Sequence, residues 1–440
     1  MTQPVDDNLP SENSDATLRS EDGMERREFV KHASIGAGLA LTNWTFASTA
    51  AANAPGDVDP VQPNMIGGYG AWAASIVGDS AARLSYLQPR FQDINLWRAE
   101  ARQRLFDCLL QPPVGPISDV QIQPVDAEPG LHAERISWQL PYGPRTQAIL
   151  LKPDNARGRL PAVLALHDHG GNKYFGHEKI TRTATGQHPM MNQHQAHYYG
   201  GQAWANALAK RGYVVLVHDT FAFGSRRLLM KDVTEPGRKK VAPVDDDAAE
   251  SIETYNRFAA EHEHLMAKSL LCAGTTWPGV FTLEDQRALD YMCSRSDVDA
   301  SRVGCAGLSG GGLRTVYLGG MDERIRCACA VGMMSTWRDY LLHKCYTHTW
   351  MIYIPGLPRD LDYPEILGLR APLPTLVLNN SEDSLFTLPE MQRADRMLKE
   401  VYQKAGAVDR YRGSFHAGPH KFDRPMQSEA FDWFDRWLAS

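Results

Sequence analysis

A serine at position 309 stands in a pattern that could make it a nucleophile. The run RVGCAGLSGGGL (302–313) contains Gly-x-Ser-x-Gly with Ser309 at its centre. Apolar residues before the serine predict a buried strand, and a helix is predicted to begin at Gly310. Gly307 and Gly311 would leave room for the close backbone approach that so sharp a turn requires. The Gly310 amide, at the positive end of the helix dipole, could then stabilise an oxyanion.

A serine nucleophile needs a base and an acid that orients the base, and both are expected later in the chain. The strand-like run PTLVLNN ends at Ser381-Glu382-Asp383, which places two carboxylates at its carboxyl end. Asp383 is the predicted acid, and Glu382 is the alternative. Beyond the next strand-like run lie His416 and His420. We predict His420 as the base, because it occupies the loop before the last helix, whereas His416 directly follows the strand.

The loop HDHGG (167–171) follows another strand-like run, PAVLAL. Its glycines would let backbone N–H groups approach the serine, and the main-chain N–H of His169 is the predicted second oxyanion donor. A metal site is the alternative, since imidazoles and carboxylates bind divalent metals. The candidate ligands would be His167, Asp168, His169, His177, His188, His194 and His197. They show no recognised ligand spacing, so we predict neither a metal nor another cofactor.

Helix-like and strand-like segments alternate through most of the chain, which is typical of a mainly parallel sheet with helices on both faces. The runs AERISWQL and RTQAILLKP, joined by a turn at 141–144, predict an antiparallel N-terminal hairpin. A helix is predicted from about residue 79 to residue 110. Residues 173–200 and 224–281 break the alternation. We interpret them as inserted lid segments over the carboxyl ends of the strands, where such sheets bind ligands.

The first 54 residues are predicted to be a leader that is separate from the folded domain. Residues 1–23 are polar and acidic, which predicts disorder. Arg26 and Arg27 then precede a mildly apolar stretch that resembles a bacterial twin-arginine export signal, with cleavage expected near residues 50–54. The stretch is too short and polar to span a bilayer, and an ordinary buried helix is the alternative. We expect recognition by the twin-arginine machinery and a periplasmic or extracellular destination. Met24 is an alternative start.

Composition restricts the class of protein. Hydrophobic residues make up 43% and charged residues 22%, as in globular proteins. A net charge of -6 without a Lys/Arg block argues against a nucleic-acid partner. The seven cysteines include no Cys-x-x-Cys pair and are interpreted as small buried hydrophobic residues. The predicted organisation is a leader over 1–54, a helical lead-in over 55–130 and a catalytic domain over 131–440. The oligomeric state stays open.

Taken together, these pieces resemble an α/β-hydrolase, and more narrowly the bacterial dienelactone hydrolase and acetyl xylan esterase-like branch. The matching pieces are HDHGG, GLSGGG continuing into LRTVYLGGMDERI, PTLVLNNSED and GPHKF, in that order over about residues 130–440. The resemblance implies an α/β-hydrolase fold, a triad of Ser309, Asp383 and His420, and no cofactor. The chain departs from dienelactone hydrolases in having serine where they have cysteine. It also lacks the His-Gly-Gly-Gly loop of many esterases.

The expected function is that of an exported serine hydrolase that cleaves carboxylic esters, with small-molecule or polysaccharide acyl and methyl esters as expected substrates. A peptidase or amidase of the prolyl oligopeptidase type is one alternative. Such enzymes usually carry a β-propeller before the hydrolase domain, and residues 53–130 are too few for one. A non-catalytic binding protein with a hydrolase fold is the other alternative. The complete order of Ser, Asp and His argues against it.

Overall fold

A computed structural model describes residues 63–78, 80–183, 186–244 and 246–439. The predicted leader, residues 1–54, lies outside the described residues. The described residues cluster as one unit, and the predicted boundary near residue 130 stays a prediction. None of the described helices is both long enough and apolar enough to cross a bilayer.

One mixed sheet runs through the described chain, in the spatial order β1-β2-β3-β5-β4-β6-β7-β8-β9. The first three strands and the β3–β5 pair are antiparallel, and all later neighbours are parallel. The predicted hairpin and parallel sheet are therefore confirmed. The strands are β1 (Ser118–Val125), β2 (Leu131–Gln139), β3 (Thr146–Pro153), β4 (Leu160–Leu166), β5 (Val214–His218), β6 (Val298–Leu308), β7 (Ile325–Val331), β8 (Thr375–Asn380) and β9 (Tyr411–His416).

Helices cover both faces of this sheet. In β4, Val163 packs toward α4 and α11, whereas its neighbour Leu164 packs toward α6. Burial on both faces explains why the central strands are continuously apolar. The helices are α1 (Gly70–Val77), α2 (Ile94–Leu109), α3 (Pro189–Tyr199), α4 (Trp204–Lys210), α5 (Ala249–Cys272), α6 (Trp277–Ser294), α7 (Gly310–Met321), α8 (Trp337–Asp339), α9 (Tyr363–Gly368), α10 (Leu388–Lys404) and α11 (Arg424–Phe434).

Three elements differ from the sequence-based expectation. The helix predicted over 79–110 forms only as α2, because Pro89 interrupts the pattern and the Asp93 side chain caps the helix by accepting from the Asn95 amide. Strand β1 was not predicted, since it lies at the sheet edge with nearly every residue exposed and so lacks an apolar face. The 224–281 insertion contains the long helix α5, which was not predicted from the sequence.

The cysteines divide by location. All seven are free thiols. Cys305, Cys327 and Cys329 are buried in β6 and β7, as expected for small hydrophobic residues, but Cys272 at the end of α5 is exposed.

Candidate active site

Ser309 lies in a strained turn between β6 and α7. Its backbone has φ 56° and ψ -117°, a conformation that side-chain-bearing residues rarely adopt. A Cβ atom at Gly307 or Gly311 would overlap the carbonyl oxygen of Leu166 on the neighbouring strand. The Ser309 amide donates to the carbonyl of Val331 at 2.9 Å. The two glycines thus allow the turn to press against the sheet, and the serine stands at the carboxyl end of β6.

Two backbone amides flank the serine. Gly310 is the first residue of α7, where an N–H has no partner within the helix. His169 lies against it, since a Cβ at Gly310 would be only 2.9 Å from the His169 nitrogen. The structure therefore brings together both predicted oxyanion donors and Ser309.

Lys179 orients the His169 amide, a role that the sequence analysis missed. Its Nζ donates to the carbonyls of Asp168 at 2.7 Å and His169 at 2.9 Å. In a trans peptide the C=O and N–H point in opposite directions, so fixing the Asp168 carbonyl directs the His169 N–H the other way. Burial lowers the pKa of Lys179 to about 8. A lone lysine in an insertion carries no motif that could have indicated this contact.

His420 and Asp383 form a close pair. Nδ1 of His420 donates to Oδ2 of Asp383 at 2.6 Å, and the other carboxylate oxygen accepts from the Leu385 amide at 3.0 Å. The loop is anchored next to His420 by the Lys421 amide, which donates to Asn380 Oδ1. Nε2 of His420 is buried and has no hydrogen-bond partner among the described residues. Its lone pair is therefore available to take a proton.

The two alternative residues have other partners. Glu382 is exposed, and its carboxylate accepts from the Gly418 amide at 3.2 Å, which ties it to the loop that carries the histidine. Nε2 of His416 pairs with Oε2 of Glu429 in α11 at 2.9 Å. The structure thus joins Asp383 to His420 and leaves Glu382 and His416 out of that pair.

Three of the histidines considered as metal ligands have separate partners. His194 donates to Asp168, His169 donates to Glu263, and His188 contacts the Asp247 carbonyl. In the part of the chain that the structure describes, His177, Glu178 and Asp219 do have potential ligand atoms within 4.8 Å of one another.

That last group forms an internal ion pair. Nδ1 of His177 donates to Asp219 at 2.8 Å, and the backbone amides of His177 and Ser225 also donate to this carboxylate. Although burial opposes it, the negative charges of Glu178 and Asp219 raise the pKa of His177 to about 9. A protonated histidine that already holds the carboxylate is a poor metal ligand.

Ser309, Gly310, His169 and His420 all line one cavity of about 290 Å³. The segment 347–352, between α8 and α9, also lines this cavity and supplies His348 and Met351 among others. The sequence analysis did not predict that this segment would face the site.

Comparisons with known proteins agree with this architecture. Residues 270–440 match the prolyl oligopeptidase family, Peptidase_S9. YtaP of Bacillus subtilis strain 168, provisionally named a hydrolase, is 28% identical over 345 residues, covering 78% of this chain and all of YtaP. A Bacteroides fragilis structure, provisionally named an acetyl xylan esterase, superposes with a TM-score of 0.58 at 15% identity, covering 78% of this chain and 81% of its own. The chain has the α/β-hydrolase fold.

A second solved structure extends this likeness. The glucuronoyl esterase from Solibacter usitatus superposes on this chain with a TM-score of 0.56 at 14% identity, over 80% of this chain and 96% of its own. The fold predicted from the sequence is therefore confirmed. The family match covers the Ser309 turn, Asp383 and the loop of His420 but leaves out the HDHGG loop.

Proposed function

We propose that this α/β-hydrolase cleaves carboxylic esters through Ser309, His420 and Asp383. One observation carries the proposal: the buried, unpartnered Nε2 of His420 lines the same cavity as Ser309 and two flanking amides. A base with an available lone pair, a nucleophile on a strained turn and paired N–H donors are the parts that acyl transfer requires.

The reaction would proceed in two halves. Ser309 Oγ attacks the ester carbonyl carbon while its proton passes to His420 Nε2, and the carbonyl oxygen becomes an oxyanion held by the Gly310 and His169 amides. Collapse breaks the bond to the alcohol oxygen, which takes the proton from His420 and leaves an acyl-serine. Water then attacks the acyl carbon, gives its proton to His420, and releases the acid as Ser309 Oγ is reprotonated. Asp383 holds the imidazole and stabilises its charged form.

Esters carried by carbohydrates are the proposed substrate class. The supporting observation is that solved structures with this fold include a glucuronoyl esterase and a provisionally named acetyl xylan esterase. A cavity of about 290 Å³ can hold an acyl group with part of a sugar ring. We further propose that residues 1–54 direct export through the twin-arginine machinery, on the support of Arg26-Arg27 and the apolar stretch that follows.

A set of three variants tests the chemistry. Ser309→Ala and His420→Ala should each lower kcat for 4-nitrophenyl acetate by about 10⁴-fold or more, because triad members act as a unit. His416→Ala is the matched control and should stay within a few-fold of wild type, because its ring pairs with Glu429. Undiminished hydrolysis by Ser309→Ala would overturn the serine mechanism. An inactive His416 variant beside an active His420 variant would assign the role of base to His416 instead of His420.

Amide hydrolysis is a second candidate, favoured by the match of residues 270–440 to the prolyl oligopeptidase family. Assaying the wild-type protein with a prolyl 4-nitroanilide peptide and with the esters separates the two functions. Turnover of the peptide that exceeds turnover of aryl and sugar esters would replace the esterase proposal with a peptidase.

A further inference from the structure

His348 stands in the cavity wall with one ring nitrogen already committed. Its Nε2 lies 3.0 Å from the carbonyl oxygen of Leu385. A carbonyl can only accept, so Nε2 must carry the hydrogen. The ring is held by edge contacts with Tyr340 and tilted packing on Phe386, each at a centroid distance of 4.9 Å.

The remaining nitrogen is therefore an acceptor. Burial lowers the pKa of His348 to about 4, so the ring is neutral at physiological pH. With the hydrogen on Nε2, Nδ1 carries a lone pair, and no described residue donates to it. The Thr347 hydroxyl beside it in the chain has its one hydrogen directed at the Lys344 and Leu385 carbonyls.

His348 lies on the side of the cavity where the alcohol would leave. The Leu385 amide donates to Asp383 Oδ1, while the Leu385 carbonyl accepts from His348, so a single residue connects His348 to the acid of the proposed triad. In that reaction His420 gives its proton to the departing alcohol oxygen. Groups around His420 and Asp383 are therefore nearest the alcohol part of the ester, whereas His169 and Gly310 are nearest the carbonyl oxygen.

We propose that Nδ1 of His348 accepts a hydrogen bond from a free hydroxyl on the alcohol part of the ester, which makes partly esterified polyols, including sugars, the preferred substrates. This inference rests on the proposed function and narrows it. An ester without that hydroxyl leaves a desolvated acceptor unpaired, whereas a hydroxylated ester satisfies it. The expected preference is about 10- to 100-fold in kcat/KM.

A pair of small esters isolates this contact. Cyclohexyl acetate and the monoacetate of 1,2-cyclohexanediol differ by one hydroxyl beside the ester. The wild-type protein should prefer the hydroxylated ester by about 10- to 100-fold. His348→Phe keeps a ring between Tyr340 and Phe386 but removes the acceptor, so it should bring the ratio of the two kcat/KM values close to one.

The ratio of substrates cancels any general loss caused by the substitution. A wild-type ratio near one, or a preference that survives in His348→Phe, would overturn the inference. Cyclohexyl glycolate, with its hydroxyl on the acyl side, is the third probe, and a preference for it would overturn the assignment of His348 to the alcohol side.

Two measurements keep the result interpretable. If His348→Phe does not fold, competitive inhibition of the wild-type protein by 1,2-cyclohexanediol and cyclohexanol replaces the variant, and equal inhibition would contradict the inference. Failure of the wild-type protein to hydrolyse 4-nitrophenyl acetate, by contrast, would reject the proposed function itself.

Discussion

The imidazole of His420 is confined by its surroundings as well as by Asp383. Gly332 follows β7 in a left-handed conformation, with φ 57°, and a Cβ there would lie 2.9 Å from Cε1 of His420. The only side chain compatible with the observed ring position is therefore the hydrogen of glycine.

Gly332→Ala should consequently affect catalysis through the position of His420. The new methyl group would displace the ring from its observed position, and a misplacement of about 1 Å can cost about 10²-fold in rate. We expect kcat for 4-nitrophenyl acetate to fall by about that factor. The measurement is steady-state kinetics combined with the free energy of unfolding from denaturant titration.

The matched control is Gly274→Ala. Gly274 has φ 79°, and a Cβ there would meet no atom within 4 Å. Both variants should lose about 1–2 kcal/mol of stability from left-handed strain, and only Gly332→Ala should lose activity. Equal activity in the two variants would show that Gly332 does not confine the base.

At the scale of single residues, the sequence indicated the candidate triad but not the side chains that contact the site through tertiary packing. Ser309, Asp383 and His420 could be proposed because their order and flanking patterns reflect chemistry that the fold imposes. Lys179 and His348 could not, because tertiary packing creates their contacts: Lys179 donates to two carbonyls of the HDHGG loop, and His348 donates to the Leu385 carbonyl. No spacing in the chain encodes those contacts.

Among the elements, the inserted helix α5 is tied to the site through Glu263. Its Oε1 accepts from His169 Nε2 at 3.1 Å and pairs with the buried Lys173, and its Oε2 accepts from the Trp350 amide at 3.3 Å. Nδ1 of His169 accepts from the Gly171 amide, so the ring bridges its own loop to α5. One carboxylate thus connects the HDHGG loop, both insertions and the segment 347–352 that lines the cavity.

Glu263→Gln should be strongly destabilising at neutral pH. It leaves the Lys173 ammonium buried without its counter-charge, for which about 3–5 kcal/mol is expected. Glu261→Gln in the same helix is the control, because Glu261 forms an exposed pair with Lys239 and should contribute less than about 1 kcal/mol. Denaturant unfolding of the three proteins gives the comparison, and similar losses in both variants would contradict the role of Glu263.

The same pair predicts a pH dependence. Burial opposes ionisation, but His169 and Lys173 outweigh it and lower the pKa of Glu263 to about 2. A carboxyl with a depressed folded-state pKa stabilises fully above its unfolded value and loses that contribution as pH falls toward the folded value. The stability gap between wild type and Glu263→Gln should therefore narrow as pH falls from about 4.5 toward 2. A gap that stays constant would mean that the charge of Glu263 does not contribute.

Elements were predictable where one sheet or helix face is continuously buried. The central strands are apolar on both sides, and their order along the chain follows from that pattern. Strand β1 was not predictable, because its backbone pairs with β2 while its side chains face solvent. Helix α5 was obscured for a related reason: only six of its 24 residues are buried, so its apolar stripe is sparse.

For the whole molecule, the proposed site uses residues between His169 and His420, and the described residues begin at residue 63. Residues 1–52 contain eight of the 52 acidic residues and four of the 46 basic ones, so most of the net charge of -6 belongs to the proposed leader. The remainder is nearly neutral. Export and catalysis should therefore be separable properties of the chain.

Replacing Arg26 and Arg27 together by lysine tests that separation. Lysine keeps the positive charge but lacks the planar guanidinium group, so a receptor that reads the arginine pair should reject it. In a bacterium with a twin-arginine pathway, esterase activity should move from the periplasmic or extracellular fraction to the cytoplasm, with kcat unchanged in the purified protein. Arg19→Lys, outside the pair, is the control and should be exported normally. Continued export of the double variant would reject the twin-arginine route, and a loss of kcat would show that the leader also supports the catalytic unit.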